Sequence, residues 1–137
     1  MSGVNAHYPE TIRPALETIG TAPGVRRVAG LYMMVLEHDT VFFADTTVNI
    51  DPDAETLAEI ALLAASFVRR LGLEPRVAML SFSNFGSVDS PQSAKVRRAT
   101  ALVKERAPEL QVDGEMQADV AVLGEFRRAS YPFTSLE

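Results

Sequence analysis

The sequence predicts an α/β domain in which helices layer on both faces of a mixed, partly parallel sheet. Three observations lead there. Apolar runs of strand length alternate with segments of helical periodicity, an order that stacks helices on a sheet. Residues 51–72 form the clearest amphipathic helix of the chain. A short apolar strand, Arg76-Val77-Ala78-Met79-Leu80, runs into a loop of small hydroxyl residues and then into a helix opening at Pro91.

Taken in order, residues 9–19 hold one short helix, with Ile12, Leu16 and Ile19 at helical spacing. Residues 28–36 are a continuous apolar run, Glu37-His38-Asp39-Thr40 is a polar turn, and Val41-Phe42-Phe43-Ala44-Asp45 is a second strand. These two strands are expected to pair antiparallel inside the mixed sheet, with Met33 and Met34 as core filler. Asp51 is expected to cap the next helix, with Pro52 at its first position, where a missing N–H costs nothing. Leu57, Ile60, Ala61, Ala64, Phe67, Val68 and Leu71 make its apolar face, Arg69 and Arg70 fill its last turn, and Gly72 stops it. After the buried strand ending at Leu80, a helix over 91–107 turns Val96, Ala99, Leu102 and Val103 inward until Pro108 breaks it. A short strand near 110–112, a turn at Asp113-Gly114-Glu115 and one helix over 118–129 follow. Residues 131–137 are apolar enough to pack and read as a chain on its way to a further strand.

The 137 residues have room for one domain, with 47% hydrophobic and 23% charged residues, average for a soluble chain. A net charge of −5, with no run of four basic residues, argues against a nucleic-acid partner. Cysteine is absent, which removes disulfides, thiolate nucleophiles and Cys-ligated metals. No apolar stretch approaches the roughly 18 residues that cross a bilayer. No basic segment followed by an apolar one opens the chain, so no membrane partner and a cytoplasmic location are expected. His7 and His38 are isolated and lack metal-pair spacing, so no metal site is expected.

Chemistry concentrates in Ser81-Phe82-Ser83-Asn84-Phe85-Gly86-Ser87-Val88. A hydroxyl-rich loop between a strand and a helix start is how α/β folds cradle a phosphate or carboxylate, because free N–H groups and the helix dipole both favour an anion. The plainer account is a βα turn whose serines cap the helix at Pro91. Lys95, Arg97 and Arg98 either meet ligand phosphates or form a solvated helix face. Asp45 and Asn49 either orient a ligand or act as turn and capping residues. Asp113 and Glu115, two carboxylates around a glycine, suit acid–base work but read more simply as turn residues. Gln117 and Asp119 read as helix-capping residues.

Four blocks carry a resemblance. Val77-Ala78-Met79-Leu80-Ser81-Phe82-Ser83-Asn84-Phe85-Gly86-Ser87, Ala44-Asp45-Thr46-Thr47-Val48-Asn49, Ala58-Glu59-Ile60-Ala61 and Asp113-Gly114-Glu115-Met116-Gln117-Ala118-Asp119 together resemble the phosphate acetyl/butyryl-transferase family. The pair Asn84-Phe85 and Tyr131-Pro132-Phe133 look most like the C-terminal domain of bacterial NADP-dependent malic enzymes. Stand-alone members carry threonine-lysine where Asn84-Phe85 stand, so Phe85 removes the cation that loop would offer. The resemblance implies an isocitrate/isopropylmalate dehydrogenase-like lobe, with residues 1–137 as part of a longer family domain whose reactive arginine and aspartate lie beyond Glu137.

It further implies acetyl-CoA, or another acyl-CoA, as ligand of Ser81, Ser83, Asn84, Gly86, Ser87, Asn49 and Lys95, with no catalytic residue in this segment. NADP and a divalent metal would belong to a separate malic-enzyme domain, and a homo-oligomer is expected. The leading expectation is an acetyl-CoA-responsive regulatory and oligomerisation domain. The others are an active phosphate acyltransferase, for which no arginine is expected near the loop, and a purely structural segment.

Overall fold

In the computed structural model, residues 8–21, 23, 25, 27–37 and 39–136 are described; His7 and His38 lie outside them. The chain divides into two compact units, Met1–Ile50 and Asp51–Glu137.

The first unit holds helix α1 (Tyr8–Thr18) and strands β1 (Leu31–Val35) and β2 (Thr40–Ala44). The strands pair antiparallel as expected, Leu31 opposite Ala44 and Val35 opposite Thr40. They form a two-stranded sheet of their own rather than part of a larger mixed one. Met33 and Met34, expected in a core, are both exposed: alternation sends them to opposite faces of the two-stranded sheet, and on neither face are they buried. The chain leaving β2 is organised by Asp45. Its carboxylate accepts the N–H groups of Gly30 (2.7 Å), Thr47 (3.2 Å), Val48 (3.2 Å) and Asn49 (2.6 Å), and the Asn49 side-chain amide at 2.6 Å.

The second unit is a βαβ arrangement with helices on both faces. Helix α2 (Ala54–Arg70) precedes strand β3 (Arg76–Leu80), helix α3 (Pro91–Arg106) and strand β4 (Gln111–Met116); α4 (Ala118–Val122) and α5 (Gly124–Ser130) follow. Strands β3 and β4 are parallel. Alternation along β3 sends Val77 and Met79 to one face and Ala78 to the other. On the first face they meet Ala58, Ala61 and Ala65 of α2 and Ala99, Leu102 and Val103 of α3, with Leu110 and Val112. On the second face Ala78 meets Met116, Val120 and Leu136. A fully buried valine such as Val103 contributes about 1.5–3 kcal/mol.

Helix ends depart from expectation in two places. Asp53, not Asp51, caps α2, accepting the Thr56 N–H at 2.8 Å; Asp51 instead pairs with Lys95. Gly72, at φ +79, closes α2 as expected: its N–H reaches the Arg69 carbonyl and the Leu73 N–H the Val68 carbonyl, the two bonds of a Schellman ending. The helix expected over 118–129 is broken at Leu123. There the buried Arg127 guanidinium donates to the carbonyls of Val120 (3.1 Å) and Ala121 (2.6 Å), satisfying groups a continuous helix would have bonded itself.

The largest departure is β4, which runs through the expected turn. Gly114 sits at φ +143, and a Cβ there would lie 2.5 Å from the Met79 carbonyl oxygen. Met79 pairs with Gly114 but Leu80 pairs with Met116. Glu115 is therefore the extra residue of a bulge, and the parity change turns Met116 to the face opposite Val112. β3 is only half-buried, since Leu80 at its carboxyl end is exposed.

Two outcomes follow from this architecture. Gly114→Ala is expected to lower unfolding stability by more than about 2 kcal/mol, from backbone strain plus the Met79 clash, as read by chemical denaturation. The Asp45 carboxyl is held down to about 2: burial would raise it, but the hydrogen bonds from Asn49, Gly30 and Thr47 outweigh burial. Its support of the 45–49 loop should thus be complete above the ordinary value of 3.8 and fade as pH falls towards about 2. An NMR titration of the Asp45 side chain with a midpoint near 3.8 would contradict this.

Candidate functional site

The serine loop leaves the carboxyl end of β3 and meets the carboxyl end of β4, the edge at which open parallel sheets present ligand sites. Its first bond continues the sheet, the Ser81 N–H donating to the Met116 carbonyl at 2.9 Å. From there the loop closes on itself. The Ser83 N–H donates to Ser81 Oγ (3.3 Å), the Asn84 N–H to Ser87 Oγ (2.9 Å), the Ser87 N–H to the Asn84 carbonyl (2.9 Å) and the Val88 N–H to Ser83 Oγ (3.1 Å).

The remaining donors go to one residue of β4. Glu115 is fully buried, and its backbone carbonyl accepts the Phe85 N–H at 2.8 Å. Its Oε1 accepts the Gly86 N–H (2.8 Å) and the Ser83 hydroxyl (3.0 Å). Its Oε2 faces Arg97 Nε of α3 across 3.3 Å. Every backbone N–H from 83 to 88 is therefore used within the protein. The bulge that makes Glu115 an extra residue also delivers its side chain to this loop.

Gln117 fastens the loop's other side. Its N–H donates to Asn84 Oδ1 (2.7 Å), its side chain donates to the Phe82 carbonyl (2.7 Å) and accepts from the Asn84 amide (3.0 Å). Gln117 stands at the cap position of α4 as expected, yet makes no side-chain cap bond because both ends of its amide are spent on the loop. The helix at Pro91 is capped by Ser90 and Ser93 in a reciprocal box, and Ser93 also donates to the Val88 carbonyl at 2.7 Å.

Phe85 holds the apex at φ +46, a conformation few non-glycine residues adopt. Its ring lies 5.0 Å from those of both Tyr131 and Phe133, the latter edge-on. Such pairs contribute about 0.5–1.5 kcal/mol beyond their buried area. The segment that reads as a chain heading for another strand thus folds back on the loop. It is latched by Asp113, which accepts from Thr134 Oγ1 (2.9 Å), the Ser135 N–H (2.8 Å), Lys104 Nζ (2.9 Å) and the Gly114 N–H (3.1 Å).

Of the residues expected at the site, Ser81, Ser83, Asn84, Gly86 and Ser87 come together in this loop. Lys95 is held 2.6 Å from Asp51. Asn49 belongs to the first unit, where its amide also donates to the Val28 carbonyl at 3.0 Å. Two expectations are corrected. Asp113 and Glu115 are buried strand residues, not turn residues, since the bulge at Gly114 lets β4 continue. An arginine does lie beside the loop: Arg97, read as one of a charged helix face, has Nη1 only 3.3 Å from where a Gly86 Cβ would be. The signal that could have exposed the two acids is their place on each side of a glycine inside a strand-length segment that carries Leu110, Val112 and Met116. Among the described residues no group of three or more His, Asp or Glu side chains is placed to hold a metal ion. Nor, among them, is any helix long and apolar enough to cross a membrane.

The family model described as Phosphate acetyl/butaryl transferase matches residues 1–137. The chain is 47% identical over 135 residues to an NADP-dependent malic enzyme of Escherichia coli, an alignment covering 98% of this chain and 18% of that protein. It is 45% identical over 121 residues to a phosphate acetyltransferase of Bacillus subtilis, covering 88% of this chain and 38% of that one. The crystal structure of a phosphotransacetylase from Streptococcus pyogenes superposes with a TM-score of 0.88 at 40% identity, over 98% of this chain and 41% of that chain. The chain thus spans well under half the length of the relatives it matches.

The Asp113 latch generates a pH outcome. Burial would raise this carboxyl, but the Ser135 N–H, Lys104, Thr134 and the Gly114 N–H outweigh it and hold it below the ordinary 3.8. The latch should be intact at neutral pH and loosen only as pH falls below that value. Asp113→Ala should release the tail at neutral pH, raising amide exchange at Ser135 and Leu136 at least tenfold while α2 exchanges as before. Unchanged exchange at Ser135 would refute the latch.

Proposed function

The chain belongs to the Phosphate acetyl/butaryl transferase family, and on that premise we propose that it is an acyl-CoA-responsive regulatory and oligomerising segment of a larger, malic-enzyme-like protein. Acetyl-CoA is its proposed ligand. Oxidative decarboxylation of malate, with NADP and a divalent metal, would fall to another domain of such a protein, and a cytoplasmic homo-oligomer goes with this reading.

The observation that carries it is the loop apex. Phe85 stands where stand-alone transacetylases resemble one another in having lysine, and its ring is taken up by Tyr131 and Phe133. Acyl transfer between CoA and phosphate gathers negative charge on both partners, and an enzyme accelerates it chiefly with cations aimed at that charge. An aromatic apex supplies surface for contact but no such charge. A CoA ester would meet the exposed rim of the loop at Gly86 and Ser87, while Ser81, Ser83 and Asn84 keep the loop in shape. Lys95, bonded to Asp51, would have to exchange that partner to reach a ligand.

Arg97 favours a second reading, active acyl transfer, since it brings one guanidinium to the loop. Its Nε is already opposite the Glu115 carboxylate, which is why the regulatory reading ranks first. Calorimetric titration of acetyl-CoA into the full-length protein is expected to show binding, with a matching rise in melting temperature. Acetyl phosphate should not form from acetyl-CoA and phosphate. Turnover at ordinary enzyme rates, on the order of 10 per second, and lost in Ser83→Ala, would establish acyl transfer instead. Absence of both binding and turnover would leave the segment a structural one.

A further inference from the structure

We infer that the serine loop is an oxyanion site whose occupant is the chain's own Glu115 carboxylate, held in the slot that a free phosphate or carboxylate would otherwise fill. Three donors from two elements converge on that one group: the Ser83 hydroxyl and Gly86 N–H from the loop, and Arg97 Nε from α3. A hydroxyl, a backbone amide and a guanidinium around two oxygens is the donor set that recognises small oxyanions. Glu115 is completely shielded from solvent. A buried carboxylate persists only where such donors offset its lost hydration.

The fit is incomplete at one atom, which separates a filled slot from ordinary core packing. Oε1 has two good donors, whereas Oε2 has no hydrogen bond of proper geometry and only the Arg97 guanidinium opposite it. A carboxylate tethered to β4 cannot orient both oxygens freely; an untethered one could. The slot would therefore accept a small free carboxylate, or one face of a phosphate, once the tether is cut. With Glu115 in place its inward donors are spent, so any phosphate-bearing ligand meets only the loop's outer rim. This inference stands on geometry alone, whether or not the protein responds to acyl-CoA.

Cutting the tether tests it. Glu115→Ala should lower the melting temperature by roughly 5–15 °C, the consequence of leaving buried donors unpaired. Formate should then restore a large part of that loss, while chloride at equal ionic strength restores none and the intact protein gains no comparable increment. Adding Arg97→Gln to the alanine variant should abolish the formate response. In the intact protein the Gly86 amide resonance should stay fixed through a titration with inorganic phosphate, whereas in the variant it should move saturably. A melting temperature unaffected by Glu115→Ala, a formate response equal in both proteins, or a saturable phosphate shift at Gly86 of the intact protein would each overturn the assignment. An alanine variant that does not fold even in saturating formate would overturn it as well, since a slot shaped for a small oxyanion must be refilled by one.

Discussion

A buried carboxylate must find donors or it cannot stay buried, and much of the second unit follows from that demand at Glu115. Its side-chain oxygens draw in Ser83, Gly86 and Arg97, and its backbone carbonyl takes the N–H of Phe85. The loop's shape is therefore set jointly, by its own internal bonds and by the anchors that β4 supplies at Phe85 and Gly86. The bulge that delivers Glu115 depends in turn on Gly114, whose φ and contact with Met79 leave no room for a side chain. One glycine thus places two acids, Asp113 towards the tail and Glu115 towards the loop.

The two acids divide the work. Asp113 ties residues 134–135 back to the strand, and this sets Tyr131 and Phe133 against Phe85. Glu115 fixes the other side of the same apex through Gly86. Phe85 sits between these restraints, which accounts for a non-glycine residue at φ +46: the cost of that conformation, on the order of 1 kcal/mol, is offset by ring packing and by the bond to the Glu115 carbonyl. In a family whose relatives extend well beyond this chain, the apex is thereby committed to apolar contact rather than to charge.

Much of the fold was legible because its signals are local. The α1 periodicity, the β1–β2 hairpin, the capped helix after Pro91 and the Gly72 stop each depend on residues within a turn or two of one another, and each is found. The four sequence blocks likewise identified the family. Where local signals conflicted, reading failed. Asp51 and Asp53 are both good caps; Asp53 takes the role, while Asp51 pairs with Lys95, distant in sequence. Residues 118–129 have helical composition throughout, yet Arg127 folds back onto the carbonyls of Val120 and Ala121 and ends the first helix.

Sequence alone determined the α/β class, the hydroxyl-rich loop between β3 and α3, the aromatic residue at Phe85 and the family, since these rest on residue identity and short-range order. Tertiary structure decided what the loop's donors do. A carboxylate beside a glycine reads as a turn until a neighbouring strand is present to pair with it, and only the pairing of β3 with β4 creates the bulge that turns Glu115 inward. Arg97 likewise reads as one of several exposed cations until the helix packs and brings it opposite that carboxylate. The physical reason is common to both: burial and partner are properties of segments that lie many residues apart in sequence, about thirty between the loop and Glu115 and about eighteen between Arg97 and Glu115, and no local pattern of charge or hydropathy encodes them.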